Sequence, residues 1–292
     1  MQTTAPQMPL PVADRAGEWP VFAVALLVGL AIGSFLNVCI HRVPADQSVV
    51  WPGSRCPACA TPIAWYDNLP VLSWLRLGGR CRTCRARISA RYPLVELLTG
   101  GLAMLSVARF GLTPWAVVAF AFACALVVVS AIDLDHGIIP DVISLPGILV
   151  GLALSALVPG GVGLWDAFAG TLLGGGLLWV VAGVYQRAAG IEGLGLGDVK
   201  LLAMIGAFLG WQSLPAVLLV ASLTGSIGGL ALIASRRGRS RARRVLRALG
   251  PGALARHLRR TPLPFGPFLA LGALAALFVP ALAIPWSWVA SG

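Results

Sequence analysis

Long apolar runs broken by short polar stretches organise this 292-residue chain. A bilayer core asks about 17–25 apolar residues of each helix that crosses it. On that measure the pattern predicts eight spans, at about 19–40, 94–110, 114–132, 138–158, 165–187, 199–213, 214–234 and 266–289. The second and sixth are short for a full crossing. The fold class is therefore all-α: a polytopic membrane protein with about eight transmembrane helices. Residues 1–18, Pro-rich and nearly neutral, read as a disordered tail. The run Trp19–Ile40 is too long for a signal-peptide core and is followed by arginines, so it reads as a retained first span.

Composition strengthens this picture. The chain is 58% hydrophobic and 11% charged, whereas a soluble domain carries about a quarter charged residues; its mean hydropathy is +0.84. The net charge of +11 raises nucleic acid as a partner, but the placement of the arginines argues against it. Eight fall in residues 41–93 and ten in 235–265, both beside apolar spans, where cytoplasmic loops are basic. Eight spans put both loops on the cytoplasmic side, both termini on the periplasmic side, and the turns 133–141 and 188–198 on the cytoplasmic face. Loop 235–265 reads as an anchor lying on anionic lipid, partly as an amphipathic helix. The expected division is a tail (1–18), the first span with a cysteine-bearing loop (19–93), and a membrane domain (94–292) that includes loop 235–265.

The first loop carries "CPAC" (Cys56, Cys59) and, after a gap of 21 residues, "CRTC" (Cys81, Cys84). Two such pairs suit a tetrahedral four-thiolate site, usually zinc, and basic surroundings favour thiolates. Disulfides or redox pairs are the alternative, which a cytoplasmic location disfavours. Four protein ligands leave no position for water, so the metal's expected role is structural, ordering a loop with few aliphatic residues. Cys39 and Cys124 lie in apolar runs and read as packed thiols.

Of the eleven acids, Asp14 and Glu18 belong to the tail and Asp46 and Asp67 to the polar loop. Asp166 reads as a helix cap or interface residue on the outer side, and Glu96 as a structural partner of Arg91 rather than a substrate group. The notable acids sit in two turns on one face: "SAIDLDHGIIPD", with Asp133, Asp135, His136 and Asp141, and "GLGLGDVKLL", with Asp198 and the chain's one lysine, Lys200. Ionisable groups at span ends are costly and default to function. Two converging carboxylates cannot both ionise easily, so one donates a proton while the other takes one from water. The glycines before Asp198 would admit an extended substrate backbone. A divalent cation held by Asp133, Asp135, His136 and Asp198, as in a membrane phosphotransferase, is an open alternative. A zinc-bearing membrane scaffold is a third, although it leaves the rim acids without a task.

Several stretches also resemble a known family. "GSFLNVCIHRVP", "NLPVLSWLRLGGRCRTC" and "RYPLVELLTG" look like the N-terminal half of bacterial type IV prepilin peptidases. "IDLDHGIIPD", "GLGLGDVKLLAMIGAFLGW" and "PLPFGPFLALGALAALF" look like the rest. The resemblance runs in order from about residue 20 to 290. It implies a bifunctional inner-membrane enzyme that cleaves the leader of type IV prepilins and type II secretion pseudopilins after a glycine on the cytoplasmic side. It also implies N-methylation of the new terminus, usually phenylalanine, with S-adenosylmethionine. By position it makes Asp133 and Asp198 the catalytic pair, Asp135 auxiliary at most, and Cys56, Cys59, Cys81 and Cys84 the metal ligands of the methyltransferase-associated loop. Arg80 stands where the family often has Lys, which keeps the charge. No residues are assigned to S-adenosylmethionine. The partners implied are pilin-type substrates and membrane lipid, with no nucleic acid; oligomeric state is not legible.

Overall fold

The computed structural model describes residues 18–189, 195–234 and 264–279. Residues 1–17 of the expected tail, most of the basic loop, and the end of the last predicted span lie outside the described residues. So does Gly193 of the "GLGLGD" stretch.

Among the described residues every regular element is helical. The principal helices are α1 (Trp19–Arg42), α2 (Leu72–Arg76), α3 (Arg91–Phe110), α4 (Pro114–His136), α5 (Asp141–Leu157), α6 (Leu164–Ala189), α7 (Leu196–Leu209), α8 (Leu214–Ala234) and α9 (Gly266–Phe278). Each predicted span contains a helix, which bears out the all-helical class but not the count of eight crossings. Five apolar stretches are long enough to cross a membrane: Trp19–Ala45, Arg91–Phe110, Pro114–His136, Leu164–Val184 and Trp211–Ala231. The described parts of α5, α7 and α9 run 17, 14 and 13 residues. At 1.5 Å per residue α7 is about 21 Å long, against a hydrocarbon core of about 30 Å. It stops where Gly210 turns to φ 74°, four residues before α8 begins. Leu27, Leu149, Trp179 and Leu230 are each 65–72% exposed. Apolar surface on this scale suits lipid, not water.

The chain separates into two compact units. The first contains the chain up to Ile132 together with Leu149–Leu164, and its centre is the pairing of α1 with α3. In lipid such a pair gains little from the hydrophobic effect and depends on close packing and buried hydrogen bonds. Asn37 supplies one: its Nδ2 donates across to Tyr92 O (3.1 Å) and back to Gly33 O (3.3 Å). A bond of this kind contributes on the order of 1 kcal/mol. Glu96, also buried, does not pair with Arg91 as expected. Its Oε2 accepts the Val71 N–H at 2.7 Å, just before α2, and the Ser34 hydroxyl bonds the same carboxylate. Arg91 donates instead to Ala131 O at 3.0 Å. Standing on α3, Glu96 thus ties the loop helix α2 to α1 and α3.

The second unit holds Asp133–Ile148 and the chain from Trp165 onward. Its centre is α7, where Leu201–Ala207 and Phe208 are all buried. Gly206 of α7 and Gly170 of α6 meet backbone to backbone; a methyl group on either would collide with the other's carbonyl. Small residues at the crossing are how membrane helices approach closely. Asp166, expected as a cap, stands in the first turn of α6 and accepts the Trp211 indole N–H at 3.0 Å. That bond fixes the start of α6 to the turn between α7 and α8.

Candidate active site

Two sets of chemically active side chains emerge, one in each unit. In the first unit the polar loop contains the same turn twice. Cys56 N–H donates to Thr61 O (3.0 Å) and Ala60 N–H to Cys56 O (2.9 Å); likewise Cys81 N–H donates to Ala86 O (2.9 Å) and Arg85 N–H to Cys81 O (3.1 Å). The fifth residue of each turn is left-handed, Ala60 at φ 55° and Arg85 at φ 60°. Single bridges, Arg55 with Pro62 and Arg80 with Arg87, close the two turns. Each turn thus presents both its sulfurs to one side.

The four Sγ atoms of Cys56, Cys59, Cys81 and Cys84 all lie within 4.8 Å of one another, with Cys56 and Cys84 3.7 Å apart. A tetrahedral cation with bonds of ~2.3 Å needs sulfurs about 3.8 Å apart, so the donor set fits. All six cysteines are free thiols in this structure. The hydroxyl and backbone of Thr61 pull the Cys59 thiol down to about 6, and the Cys84 and Thr83 N–H groups lower Cys81. The rest of the loop is braced by Arg82, whose Nε donates to Asp67 Oδ2 at 2.6 Å and holds that carboxyl below its usual range. Trp74 donates to Ile88 O at 3.1 Å. Cys56→Ser and Cys81→Ser should each lower bound metal by roughly half or more, read by elemental mass spectrometry of the purified protein; an unchanged metal-to-protein ratio in both would refute the site.

The second set is built from three chain segments of the second unit. Asp133, in the last turn of α4, is buried at 5% exposure, whereas Asp135 and His136 after it are exposed. Gly137, at φ 67°, turns the chain and donates its N–H to Asp133 O at 2.8 Å. The turn then brings in Ile139. From far along the chain comes Gly266, the first residue of α9, whose N–H donates to Asp133 Oδ2 at 2.9 Å. A helix's first N–H groups have no partner within the helix, and this one is satisfied by the carboxylate. A methyl group on Gly266 would stand 2.6 Å from that same oxygen and 3.3 Å from Ile139 Cδ1.

Asp198 approaches from the other side, in the first turn of α7. Its carboxylate reaches back to the Gly195 N–H, as an acid at the third helical position does in a capping box. Gly197, beside it, faces Ile139: a methyl group there would lie 3.0 Å from Ile139 Cβ. Ile139 therefore lies against both the Asp133 cradle and the Asp198 turn, which brings the two acids to one site. The 64 intervening residues are spanned by the fold.

This geometry changes two expectations. Gly197 does not leave space for a substrate strand, because Ile139 fills it; Gly195 is exposed and open. The proposed cation cluster of Asp133, Asp135, His136 and Asp198 does not assemble. Among the described residues the cysteines alone form a group poised for a metal. Lys200, unassigned from sequence, has a partner: its Nζ lies 2.8 Å from both oxygens of Asp141, at the start of α5. That pair is substantially exposed, so it contributes less than about 1 kcal/mol. Ile139 and Gly266 are the residues sequence reasoning missed. The only signal was the Phe-Gly-Pro punctuation before the last apolar run, which marks a helix start but not what that start faces.

Comparison with known proteins also divides the chain in two, with the second match taking in the end of α4 and Leu149–Leu164 of the first unit. Residues 27–110 match the bacterial peptidase A24 N-terminal domain, and residues 120–230 match the type IV leader peptidase family. A prepilin leader peptidase/N-methyltransferase of Burkholderia pseudomallei (strain 1026b) is 39% identical, over 88% of this chain and 84% of its own length. A protein of the same description from Aeromonas salmonicida (strain A449) is 41% identical over 89% of this chain and 91% of its own. A third, from Myxococcus xanthus (strain DK1622), is 50% identical over 73% of this chain and 64% of its own. No solved structure matches the chain.

Proposed function

Because the chain belongs to the type IV leader peptidase family, we propose that it is a bifunctional enzyme of the bacterial inner membrane. It removes the leader of type IV prepilins and type II pseudopilins at the cytoplasmic face, then methylates the new amino terminus. Its relatives carry both activities in their description. The observation that carries the peptidase half is the meeting of Asp133 and Asp198 around Ile139, with the Gly266 N–H on Asp133.

Hydrolysis follows from two carboxyl groups of unlike protonation. A water held between them gives its proton to the ionised carboxylate as its oxygen attacks the scissile carbonyl carbon. The protonated partner donates to the carbonyl oxygen. The resulting diol collapses, the C–N bond breaks, and the leaving nitrogen takes up a proton. On Asp133 the Gly266 N–H occupies Oδ2, so Oδ1 is the oxygen left to handle the proton. No step passes through a metal. The open Gly195 is where an extended leader backbone has room to lie.

For the methyl half, S-adenosylmethionine supplies an electrophilic methyl group. When bound, it would offer that methyl group to the new terminal amine. Cys56, Cys59, Cys81 and Cys84 would hold a Zn2+ ion whose coordination is closed, so it contributes order to the loop rather than chemistry.

The test is mass spectrometry of a pilin-like substrate co-expressed with this chain. Loss of the leader and gain of a methyl group on the new terminus are the expected changes. A substrate that keeps its leader beside well-expressed wild-type enzyme would sink the peptidase reading.

A further inference from the structure

We infer that the metal-bearing loop does not stand free in water. Its helix α2 lies in the bilayer interface, with leucines among the acyl chains and arginines at the phosphates of an anionic leaflet. Composition alone points to water, because residues 43–90 carry six arginines and two acids. The fold points to lipid.

Depth is the first observation. The Val71 N–H donates to Glu96 at 2.7 Å, and Ser34 bonds the same carboxyl. Gly33 packs on the backbone of Glu96, where a methyl group would lie 2.7 Å from Glu96 Cα. Glu96 stands in the second turn of α3, which starts at Arg91, and Ser34 lies more than two turns before α1 ends at Arg42. At 1.5 Å per residue, the start of α2 is held roughly 7–12 Å inside the ends of these two helices. Interfacial helices bury their apolar face to a comparable depth, about 5–10 Å. The loop thus returns to the level of the spans.

The second observation is which side of α2 faces out. Its polar groups turn inward: the buried Ser73 hydroxyl accepts the Leu69 N–H at 3.0 Å and donates to Tyr66 O at 3.1 Å. Leu72 and Leu75, three residues apart and so on one face, are 65% and 61% exposed. Water selects the opposite arrangement for a surface helix. At the same level α3 exposes Leu94, Leu97 and Leu98, so the lipid that covers α3 is at the height of the α2 leucines.

The rim of this face carries the residues of a headgroup layer. Trp65, 78% exposed, and Tyr66 precede α2, and exposed Arg76 ends it. Amphipathic aromatic rings settle at headgroup level, and an arginine there keeps its stem in apolar surroundings and its charge at the phosphates. The basic rim complements anionic lipid. A second copy of the chain would bring the same arginines, and like charges would meet.

The test begins with the unmodified full chain in nanodiscs of phosphatidylglycerol and phosphatidylethanolamine. A diazirine dissolved in the acyl chains is photolysed, and the labelled peptides are mapped. Label on Leu72 and Leu75 should come within about threefold of that on Leu97 and Leu98, since both pairs then sit among acyl chains. In phosphatidylcholine nanodiscs the α2 label should fall by about two- to fivefold, the contribution of one arginine at an anionic surface. Leu72→benzoylphenylalanine and, separately, Leu75→benzoylphenylalanine then identify the neighbour, and the expected adduct has the mass of one phospholipid. Weaker labelling of α2, or lipid adducts at neither position, would overturn the inference. Adducts at twice the mass of the chain would give the face to a second copy, and adducts with a co-reconstituted prepilin would give it to substrate; either result overturns it too. Equal labelling in both lipid mixtures would refute the part assigned to the arginines.

Discussion

Asp198→Asn should abolish leader cleavage, lowering its rate by about 10³-fold or more, while the protein still accumulates in the membrane. The carboxamide has nearly the shape of the carboxyl group, and its oxygen still accepts the Gly195 N–H, so the first turn of α7 keeps its cap. What disappears is the exchange of a proton with substrate. Acid–base catalysis by one group contributes roughly 10²–10⁴-fold, and with paired acids removal of either disables both halves of the transfer. Asp133→Asn should behave in the same way, and Asp135→Asn should be mild, since Asp135 is exposed. Timed digestion of a purified prepilin, followed on gels, measures all three. Cleavage by Asp198→Asn at more than a tenth of the wild-type rate would remove this residue from the mechanism.

Gly266→Ala should be nearly as damaging although no functional group is lost. The new methyl would stand 2.6 Å from Asp133 Oδ2, well inside contact distance, so either the carboxylate or the start of α9 must move. A displacement of about 1 Å in a catalytic group costs on the order of 10²-fold, and the loss should fall on kcat with KM little changed. Gly225→Ala in α8 is the control, because its methyl finds the nearest neighbour, Phe268, at an ordinary 3.5 Å. Should Gly266→Ala accumulate poorly, the double variant with Ile139→Val gives the methyl room on its other side. Near-normal kcat in either Gly266 variant would show that the α9 amide does not position Asp133.

How much was legible in advance depended on the range of each signal. The helices were readable because apolar run length is local, and the metal turns because each Cys pair lies within four residues. Asp133 and Asp198 stood out as acids placed where acids are costly. Their setting was not. The donor to Asp133 is a backbone N–H 133 residues away, and a backbone amide has no signature in a sequence. Glu96 was misassigned for the same reason: Arg91 was the nearby opposite charge, but the carboxyl turns to the Val71 amide. Lys200 found its partner 59 residues away. Ile139 was hidden by its ordinariness, one more aliphatic residue in an apolar chain.

The shortness of α7 has a mechanical consequence. A helix of 14 residues cannot touch both headgroup layers, so lipid thickness has no direct grip on its height. Its depth is set by what it presses against, above all the backbone contact of Gly206 with Gly170 in α6. Asp198 rides at the end of that helix. The level of this carboxyl is thus a protein dimension, registered on a neighbouring helix, and a bilayer that swells or thins around the enzyme does not reset it.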